Sequence, residues 1–522
     1  MKTIEVLLVI PPHFRLLNEE FSCFPLGLGY VGAYLREKGI EAEIFNMDAL
    51  PKNEPAWYAT LKNAGLSPSF LNKVLSVQAS ASAFFHSSKL RWYEMSKKWK
   101  SFYARVQDSQ DPIWEEISIV IRKKKPRIVG ISCSVLTIPA ALNLARKVKE
   151  NFPGISVIGG GPATCTNAKD LLKDGNIDVL VCGEGEETAH ELCRHLLAGK
   201  DSKDLEKIKG IAFAENGLVC QTASRPLIQN LDQLPIPDRR SMFTLNSAKE
   251  IAYFQLNGDV LATRGCPFGC KFCAASVIWG SKKPRLRTPQ NFVMELKNLH
   301  QEFGQDFFIF WDDLFTVDRK RVEEICHQIL DQRLKIRWVC LVRLNTIDEA
   351  LLKLMIEAGC VQIQVGIESG NDRVLEYIGK NLTLEQIRQQ CAVINKVGID
   401  WLAFFIVGFP TETSAEILDT ILFWQELNPP AVALSIFSPY SGSEFHQELK
   451  EKNLLGEDLQ RSDFWYVGTN YTGTMSDQQF RHLAFKALKQ GDIQNLWFKD
   501  LKSIWKTFRR AWHALFKVIC TS

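Results

Sequence analysis

Short apolar runs rich in β-branched residues alternate with longer amphipathic stretches through the first part of the chain. Such runs are typical of buried parallel strands, whereas apolar positions at three- and four-residue steps predict helices. The predicted strands cover residues 4–10, 41–46, 128–134, 155–158 and 179–182. The predicted helices between them cover residues 25–38, 113–125, 138–151 and 168–173. Repeated strand and helix units with short links predict an α/β fold with a doubly wound, Rossmann-like parallel sheet.

The same alternation returns in the central part of the chain. Predicted strands cover residues 253–263, 306–311, 337–342, 361–367, 400–407 and 431–437. Predicted helices cover residues 289–303, 319–332, 347–358, 384–397 and 415–427. Parallel strands joined by crossover helices close readily into a barrel whose chemistry lies at the carboxyl ends of the strands. The pattern therefore predicts a partial (β/α)6 barrel.

Breaks in these patterns predict the domain boundaries. Pro235 and Pro237 lie in a stretch that is typical of an extended connector. The predicted organisation is a first domain at 1–229, a linker at 230–250, the barrel at 251–450 and a helical carboxyl-terminal region at 451–522. Residues 51–110 interrupt the first domain, and their aromatic content predicts inserted helices rather than disorder. These helices either decorate the sheet or form a lid over a ligand site.

The end of the chain carries apolar and basic residues in helical register. Apolar side chains recur at three- and four-residue steps from Trp497 to Ile519. Basic residues, among them Lys499, Arg509 and Arg510, occupy much of the remaining surface. An amphipathic helix of this kind either lies in a membrane interface or packs on protein with its charged ends in water. Both alternatives stay open, and peripheral membrane contact would favour a lipid or other hydrophobic substrate.

Composition adds a few constraints. The chain has 522 residues, of which 46% are apolar and 23% charged, and its formal net charge is +4. These values are ordinary for a globular protein, and the charge gives no indication of nucleic-acid binding. Fourteen cysteines without a disulfide-like framework fit a reducing compartment. Because the first strand starts close to Met1 and no long apolar run is free of charge, we expect neither a signal peptide nor a membrane span, and hence a cytoplasmic protein.

The most specific motif is a three-cysteine loop within residues 264–273 (RGCPFGCKFC). Cys266, Cys270 and Cys273 follow a predicted strand and are separated by three and then two residues. Thiolates at this spacing can converge on one face of an iron–sulfur cluster, and a four-iron cluster with three protein ligands leaves one iron open to a chelating small molecule. The alternatives are a zinc site and three unrelated thiols. Zinc is disfavoured because no histidine lies between His195 and His300.

Glycine-rich turns follow two of the predicted strands in the first domain. Glycine at the carboxyl ends of parallel strands lets the backbone approach a flat or phosphate-bearing ligand. A plain flavodoxin-like turn explains the same glycines equally well. The candidate ligand-binding residues at this edge are Ser134, Gly159, Gly160, Gly161, Gly183, Glu184 and Gly185.

Polar residues and further turns follow successive strands of the predicted barrel. Carboxylates can bind ribose hydroxyls or an ammonium group, and an arginine fork suits a carboxylate. Each such residue taken alone is equally well explained as a strand-end cap or a surface ion pair, but their recurrence at consecutive strand ends favours a binding site. The candidates are Asp312, Asp313, Arg343, Glu368, Gly408 and Pro410.

The cysteine spacing after a strand resembles that of the radical S-adenosylmethionine (SAM) superfamily, and the preceding sheet resembles the cobalamin-binding domain of its cobalamin-dependent branch. The resemblance implies a [4Fe–4S] cluster on Cys266, Cys270 and Cys273, with SAM on the open iron. It implies that Asp312 and Asp313 lie near the SAM methionine, that Arg343 and Glu368 hold its carboxylate and ribose, and that Gly408 and Pro410 lie near the adenine. The Asp-x-His-x-x-Gly signature is absent, which implies cobalamin bound without a histidine ligand. The alternative is a corrin-free domain that has lost its ligand.

The same resemblance implies a cobalamin-dependent radical SAM methyltransferase. In such an enzyme a 5′-deoxyadenosyl radical takes hydrogen from an unactivated carbon of a small-molecule, lipid or natural-product substrate, and methylcobalamin delivers the methyl group. A reductant such as flavodoxin or ferredoxin would supply electrons. One alternative is an oxidative cyclase similar to the anaerobic magnesium-protoporphyrin cyclase. The alternative from another class is a non-catalytic corrinoid-binding sensor. A methylthiotransferase is less favoured, because the upstream cysteines show no second cluster motif.

Overall fold

The structure is a computed structural model that describes residues 3–17, 24–48, 101–108, 110–199, 202–237, 239–243, 258–455 and 469–499. Most of the predicted insertion at 51–110, part of the linker and the amphipathic segment beyond residue 499 lie outside these ranges. Residues 101–107, at the end of the predicted insertion, are helical. In the described part of the chain, no helix is both long enough and apolar enough to cross a membrane.

The first domain contains an eight-stranded sheet with the order β7-β6-β5-β4-β3-β1-β2-β8. Its strands are β1 Val6–Ile10, β2 Ala42–Asn46, β3 Ile128–Ser132, β4 Ser156–Gly160, β5 Val179–Val181, β6 Ile211–Glu215, β7 Leu218–Gln221 and β8 Met242–Phe243. Strands β1 to β5 and β8 are parallel, whereas β6 and β7 pair antiparallel at one edge. The predicted parallel sheet is confirmed. The β6–β7 hairpin and strand β8 were not predicted.

Helices cover both faces of this sheet. They are α1 Leu26–Glu37, α2 Glu115–Lys124, α3 Ile138–Asn151, α4 Ala168–Leu172 and α5 Gly185–Leu197. Successive side chains of a strand point to opposite faces, and β1 shows why both faces need cover. Leu7 and Val9 belong to one buried apolar cluster, and Val6 and Leu8 to another. Strand order reverses between β1 and β3, which is where doubly wound sheets bind ligands at the carboxyl ends of their strands.

The second domain contains a six-stranded parallel sheet with the order β16-β15-β14-β13-β12-β9. Its strands are β9 Gly258–Val260, β12 Phe307–Phe310, β13 Arg337–Val342, β14 Cys360–Glu368, β15 Asp400–Val407 and β16 Ala431–Ile436. The helices of this half of the chain are α6 Ala275–Ile278, α7 Pro289–Phe303, α8 Arg319–Asp331, α9 Glu349–Glu357, α10 Asp372–Tyr377, α11 Leu384–Val397, α12 Ser414–Leu427, α13 Glu444–Glu451 and α14 Asp477–Lys499. The order agrees with the predicted six-stranded partial barrel.

The strand predicted at 253–263 differs from the structure. In the described residues it consists of β9 and a separate short strand, β10 Thr263–Arg264, which leaves the sheet and pairs antiparallel with β11 Arg285–Leu286. Asp312 explains part of this break, because its carboxylate accepts a hydrogen bond from the backbone nitrogen of Ala262 at 3.1 Å. That side chain therefore holds the backbone between the two strands. The cysteine loop thus connects the strands of a hairpin that stands outside the main sheet.

Buried polar contacts join the two domains. Asp259, on β9, accepts a hydrogen bond from the backbone nitrogen of Phe24 at 2.6 Å. Arg287 lies 3.3 Å from the hydroxyl oxygen of Tyr30 on α1, and its guanidinium also pairs with Glu295 on α7. These groups are buried. Polar groups that are buried across an interface must be matched by partners, so these contacts favour one relative placement of the domains.

Candidate functional site

The three cysteines of the motif lie in the loop that joins β10 to β11. Gly265 begins this loop with a φ of +100°, a backbone conformation that glycine adopts without a Cβ clash. The backbone nitrogen of Cys273 donates to the carbonyl of Cys270 at 3.0 Å, and that of Lys271 donates to the carbonyl of Ile378 at 3.0 Å. The loop is therefore closed by its own hydrogen bonds and attached to the segment that follows α10.

The loop brings the three thiols into electrostatic range of one another. None of them forms a disulfide. Desolvation raises the pKa of Cys273 to about 12, and the neighbouring Cys270 and Cys266 contribute to this increase. Burial likewise raises the pKa of Cys266, with a contribution from Cys270. Without a cation the site thus disfavours the thiolates of Cys266 and Cys273, whereas metal coordination deprotonates thiols.

The donor set of the loop is compatible with an iron–sulfur cluster. Among the residues that the structure describes, no three histidine, cysteine or acidic side chains converge on one metal position. In a four-iron cluster each cysteine binds a different iron, so the ligand sulfurs need not surround one point. The donor set is three sulfurs, which are the ligands that such clusters take. Cys266, Cys270 and Cys273 are therefore the residues that would hold it.

Arg343 lies beside the cysteine loop. Its Nη1 is 3.8 Å from the sulfur of Cys270, and its guanidinium lies 4.0 Å from the ring centroid of Phe268. It also donates a hydrogen bond to the carbonyl of Lys380. Arg343 follows β13, as predicted, and the structure brings it to Cys270.

Glu368 and Lys380 form a buried ion pair near Arg343. The Nζ of Lys380 lies 2.9 Å from the Oε1 of Glu368. Glu368 ends β14 with a φ of +73°, which is strained for a residue with a side chain and is common at functional sites. Lys380 was not predicted from the sequence, because it lies in a turn after α10 rather than at a strand end. The one sequence feature that could have indicated this turn is the adjacent Gly379, which adopts a φ of +72° in the structure.

The two aspartates after β12 have different surroundings. Asp312 is buried and holds the Ala262 backbone, and burial raises the pKa of its carboxyl to about 6. Asp313 is exposed and accepts hydrogen bonds from the indole nitrogen of Trp279, at 2.6 Å, and from the backbone nitrogen of Gly265. Asp313 therefore contacts the cysteine loop directly, whereas Asp312 supports the strand that leads to it.

The turn after β15 is built around a buried carboxyl group. Glu412 accepts hydrogen bonds from the backbone nitrogens of Gly408, at 2.5 Å, and Phe409, at 3.0 Å. Its other oxygen is buried without a partner. Burial raises the pKa of Glu412 to about 8. Gly408, with a φ of +89°, and Pro410 lie where the sequence predicted them, and Glu412 is the residue that shapes their turn.

In the first domain, the glycines meet at the carboxyl edge of the sheet. A Cβ on Gly161 would lie 2.6 Å from the carbonyl oxygen of Cys133, and its φ is +129°, so only glycine fits. Gly159 is closely packed against Leu180, while Gly160 is partly exposed and Gly161 exposed. Ser134, after β3, bonds to Thr137 at 3.1 Å. Gly160 and Gly161 thus present exposed backbone at this edge, which fits the approach of a flat macrocycle.

The second glycine turn, which follows β5, carries a side chain that contacts the second domain. Gly183 has a φ of +80°, and Gly185 begins α5. The side chain of Glu184 points to the second domain, where it pairs with Arg264 at 2.5 Å and Arg285 at 2.6 Å. Its carboxylate oxygens are thus engaged by protein, which leaves the backbone of this turn as its candidate contact with a ligand.

A cavity of about 350 Å³ lies between the two domains. The first domain contributes the turn after β3, and the second contributes the cysteine loop and the ends of β15 and β16. The lining residues are Ser134, Val135, Leu136, Phe272, Ala274, Ile406, Ser435, Ile436, Phe437, Ser438 and Tyr440. None of them is charged. The cavity therefore joins the predicted ligand edge of the sheet to the cysteine loop through an apolar space.

Two family models match the chain. The model of the radical SAM superfamily matches residues 260–423, and the model of the B12 binding domain matches residues 99–193. The first match covers β12 to β15 of the second sheet, and the second covers β3, β4 and β5 of the first sheet with the turns that follow them. The radical SAM domain implies a [4Fe–4S] cluster and SAM as cofactors, and the B12 binding domain implies cobalamin.

Relatives and a solved structure agree with these models. An uncharacterized methyltransferase of Pyrococcus horikoshii is 36% identical over 66% of this chain and 74% of its own length. The anaerobic magnesium-protoporphyrin IX monomethyl ester cyclase of Rubrivivax gelatinosus is 30% identical over 66% of this chain and 61% of its own length. The structure of TsrM, a radical SAM methyltransferase from Kitasatospora setae with cobalamin and a [4Fe–4S] cluster bound, has a TM-score of 0.62 at 17% identity and covers 86% of this chain and 78% of TsrM. That likeness confirms the fold. The chain is therefore an enzyme of the radical SAM superfamily, and it belongs to the branch in which a B12 binding domain precedes the radical SAM domain.

Proposed function

We propose that the protein is a methyltransferase that adds a methyl group to an unactivated carbon of a small-molecule, lipid or natural-product substrate. The observation that carries this proposal is the cavity between the domains. Ser134 and Leu136 of the B12 binding domain, and Phe272 and Ala274 of the cysteine loop, line the same space. A substrate carbon in that space is next to both cofactor sites.

The cofactors supply the difficult chemistry when bound: one-electron cleavage of SAM with hydrogen abstraction, and a transferable methyl group on cobalamin. The chain holds the cluster through Cys266, Cys270 and Cys273. Arg343 places a positive charge beside Cys270. The apolar lining of the cavity excludes water, which would otherwise quench reactive species.

The remaining predicted contacts become part of this proposal. We assign the SAM methionine to the region of Asp313 and Asp312, its carboxylate and ribose to Arg343 and Glu368, and its adenine to the turn with Gly408 and Pro410. The buried pair of Glu368 and Lys380 supports this assignment because it fixes the carboxylate in one orientation. We assign cobalamin to Ser134 and to the backbone of Gly159, Gly160, Gly161, Gly183 and Gly185.

The lining of the cavity restricts the substrate. Since it contains no charged side chain, an ionised group there would lose its hydration without gaining a partner. The reacting part of the substrate is therefore uncharged and largely apolar, while Ser435 and Ser438 carry hydroxyl groups that suit a single polar substituent. A flavodoxin or ferredoxin is the proposed electron donor.

A test of methyl transfer does not require the substrate. The holoenzyme, loaded with hydroxocobalamin and reduced anaerobically, is incubated with SAM that carries a deuterated methyl group. The extracted corrinoid is then analysed by mass spectrometry. We expect the label on the corrinoid in the holoenzyme. A corrinoid that stays unlabelled while 5′-deoxyadenosine accumulates would contradict methyl transfer.

An oxidative cyclase is the second candidate, and the 30% identity to the cyclase of Rubrivivax gelatinosus is the observation that favours it. The two candidates differ in the product. A methyltransferase incorporates the deuterated methyl group from SAM into its product, whereas a cyclase yields an oxidised product without added carbon. Incubation of the holoenzyme with an anaerobic extract of the source cells, followed by mass spectrometry of labelled products, separates the two.

A further inference from the structure

The cysteine loop is held at its base by two arginines. Arg264 on β10 and Arg285 on β11 are directly opposite one another in the antiparallel pair. All three cysteines lie between these two positions along the chain. Whatever fixes the two arginines therefore fixes the base of the loop.

Both arginines bind the same carboxylate of the first domain. Nη1 of Arg264 lies 2.5 Å from Oε1 of Glu184, and Nη1 of Arg285 lies 2.6 Å from Oε2. The backbone nitrogen of Ile228 donates to Oε2 as well, at 2.8 Å. Glu184 thus bridges the two strands from outside, with one oxygen for each strand.

A second carboxylate completes the group. Nη2 of Arg264 lies 2.5 Å from Oε1 of Glu186. The four side chains, two positive and two negative, are each at most 7% exposed. Glu184 and Glu186 are at the amino-terminal end of α5, where the partial positive charge of the helix also favours carboxylates. The charges are therefore balanced within a buried space.

Electrostatics and aromatic packing hold Arg264 in one place. Although burial alone would raise the pKa of Glu184, the adjacent Arg264 and Arg285 hold it below its usual value. The guanidinium of Arg264 lies 5.1 Å from the ring centroid of Tyr30, on α1, and 5.4 Å from that of Trp279. Trp279 in turn donates to Asp313. A chain of contacts thus runs from the first domain to the surroundings of the cysteines.

We propose that Glu184 and Glu186 are positioning residues that set the placement of the cysteine loop relative to the B12 binding domain. The glycine turn that holds these carboxylates belongs to the edge assigned to cobalamin, so one turn touches both sites. The side chains fix the cysteine loop, and the backbone faces the corrin. The proposal rests on the two cofactors acting in one cavity, and it goes beyond the proposed methyl transfer by naming what holds them in register.

Simple stabilisation would not need this arrangement. Replacing buried ion pairs by apolar side chains of similar volume often leaves stability unchanged or increases it, because ions lose hydration when buried. Ion pairs with two-pronged geometry instead specify one orientation. This network joins the base of the cysteine loop to the other domain. The orientation of the loop matters there, since small displacements of reacting groups slow reactions strongly.

The test compares Glu184→Gln with Glu191→Gln in the holoenzyme. Glu191 lies on the same helix but pairs with Arg225 rather than with an arginine of the β10–β11 hairpin, and its side chain is about half exposed. After loading with iron, sulfide and hydroxocobalamin and partial reduction, electron paramagnetic resonance measures the magnetic interaction between the reduced cluster and Co(II) cobalamin. This interaction depends on the distance between the two centres and does not require turnover.

We expect one well-defined interaction in the wild-type and Glu191→Gln proteins, and a shifted or broadened one in Glu184→Gln with unchanged iron and corrinoid content. Transfer of labelled methyl groups in Glu184→Gln should fall about tenfold or more. A magnetic interaction in Glu184→Gln that equals the one in the wild-type protein would overturn the proposal. A shifted interaction together with no methyl transfer even in the wild type would support the positioning role and refute only the proposed function.

A second variant covers the case in which Glu184→Gln fails to load both cofactors. Arg264→Lys keeps the positive charge, but a single ammonium cannot reproduce the two-pronged contact with Glu184 and Glu186. We expect an interaction broadened less than in Glu184→Gln and normal loading. A sharp, wild-type interaction in Arg264→Lys would show that the fork does not set the geometry.

Discussion

Cys270 faces Arg343, and its carbonyl accepts a hydrogen bond from the backbone nitrogen of Cys273. The sequence motif selected it together with Cys266 and Cys273, and the structure places the three in one loop. The structure also adds Lys380, which strand-end reasoning passed over. Lys380 neutralises Glu368, and Glu412 organises the turn that contains Gly408.

Replacing Cys270 by alanine should abolish cluster assembly and SAM cleavage, because one of three iron ligands is lost. The measurements are iron content and 5′-deoxyadenosine formation under reducing conditions. Cys220→Ala is the matched control, since Cys220 lies on β7, away from the site, and should keep both. A Cys270→Ala protein that cleaves SAM would refute the assignment. If Cys270→Ala still bound corrinoid and kept the protein's function in the cell, the non-catalytic corrinoid-binding sensor would be favoured.

The buried carboxyl of Glu412 predicts a pH dependence. Its pKa in the folded protein is about 8, above the value near 4.5 of an exposed glutamate, so the folded state holds the proton more tightly than the unfolded state. This group therefore contributes stability that is present at low pH and lost as pH rises from about 4.5 to about 8, with a slope of at most about 1.4 kcal/mol per pH unit.

Glu412→Gln removes that contribution and keeps an oxygen that can accept from Gly408 and Phe409. We expect the variant to gain stability relative to the wild type between pH 5 and about pH 8, as measured by chemical denaturation across this range. Other buried acids affect both proteins equally, so the difference isolates Glu412. A stability difference between the two proteins that stays constant with pH would contradict a neutral Glu412 carboxyl group in the folded protein.

At the scale of elements, periodicity predicted the parallel strands and their helices well. Buried strands such as β1 and β15 are continuous apolar runs, and this signal depends only on local sequence. The β10–β11 hairpin was not predicted. Each of its strands has two residues, and the pairing of Arg264 with Arg285 depends on contacts across twenty-one positions of the chain and with Glu184. No local pattern contains that information.

The glycine turn after β4 gives a prediction at this scale. Gly161→Ala places a Cβ 2.6 Å from the carbonyl oxygen of Cys133 and forces a positive φ on alanine. We expect a loss of about 1–3 kcal/mol in unfolding free energy and weaker corrinoid binding, because the turn must move. Thermal unfolding and titration with hydroxocobalamin measure the two effects.

Gly175→Ala is the control for backbone strain alone. Gly175 also has a positive φ, +67°, but a Cβ at this position would have no neighbouring atom within 4 Å. The substitution should cost about 1 kcal/mol and leave corrinoid binding unchanged. Equal effects of the two substitutions on corrinoid binding would remove the turn after β4 from the cobalamin site.

At the scale of the whole molecule, the domain order was predictable and the junction was not. Strand and helix alternation on each side of a proline-containing segment indicated two α/β domains. Buried contacts such as Asp259 with Phe24 and Arg264 with Glu186 join residues distant in sequence, and only the folded chain shows them. The apolar cavity lies at this junction, so the site belongs to neither domain alone. The predicted membrane or protein contact of the carboxyl-terminal helix lies outside the described residues.

The central claim is that one chain holds both a three-cysteine cluster and a corrinoid at this junction. The most direct measurement is the iron, sulfide and corrinoid content of protein purified without oxygen from a cobalamin-fed host, together with its visible spectrum. We expect about four irons and about one corrinoid per chain, with iron alone lost in Cys270→Ala and corrinoid alone weakened in Gly161→Ala. Iron without corrinoid in the wild-type protein would contradict the claim.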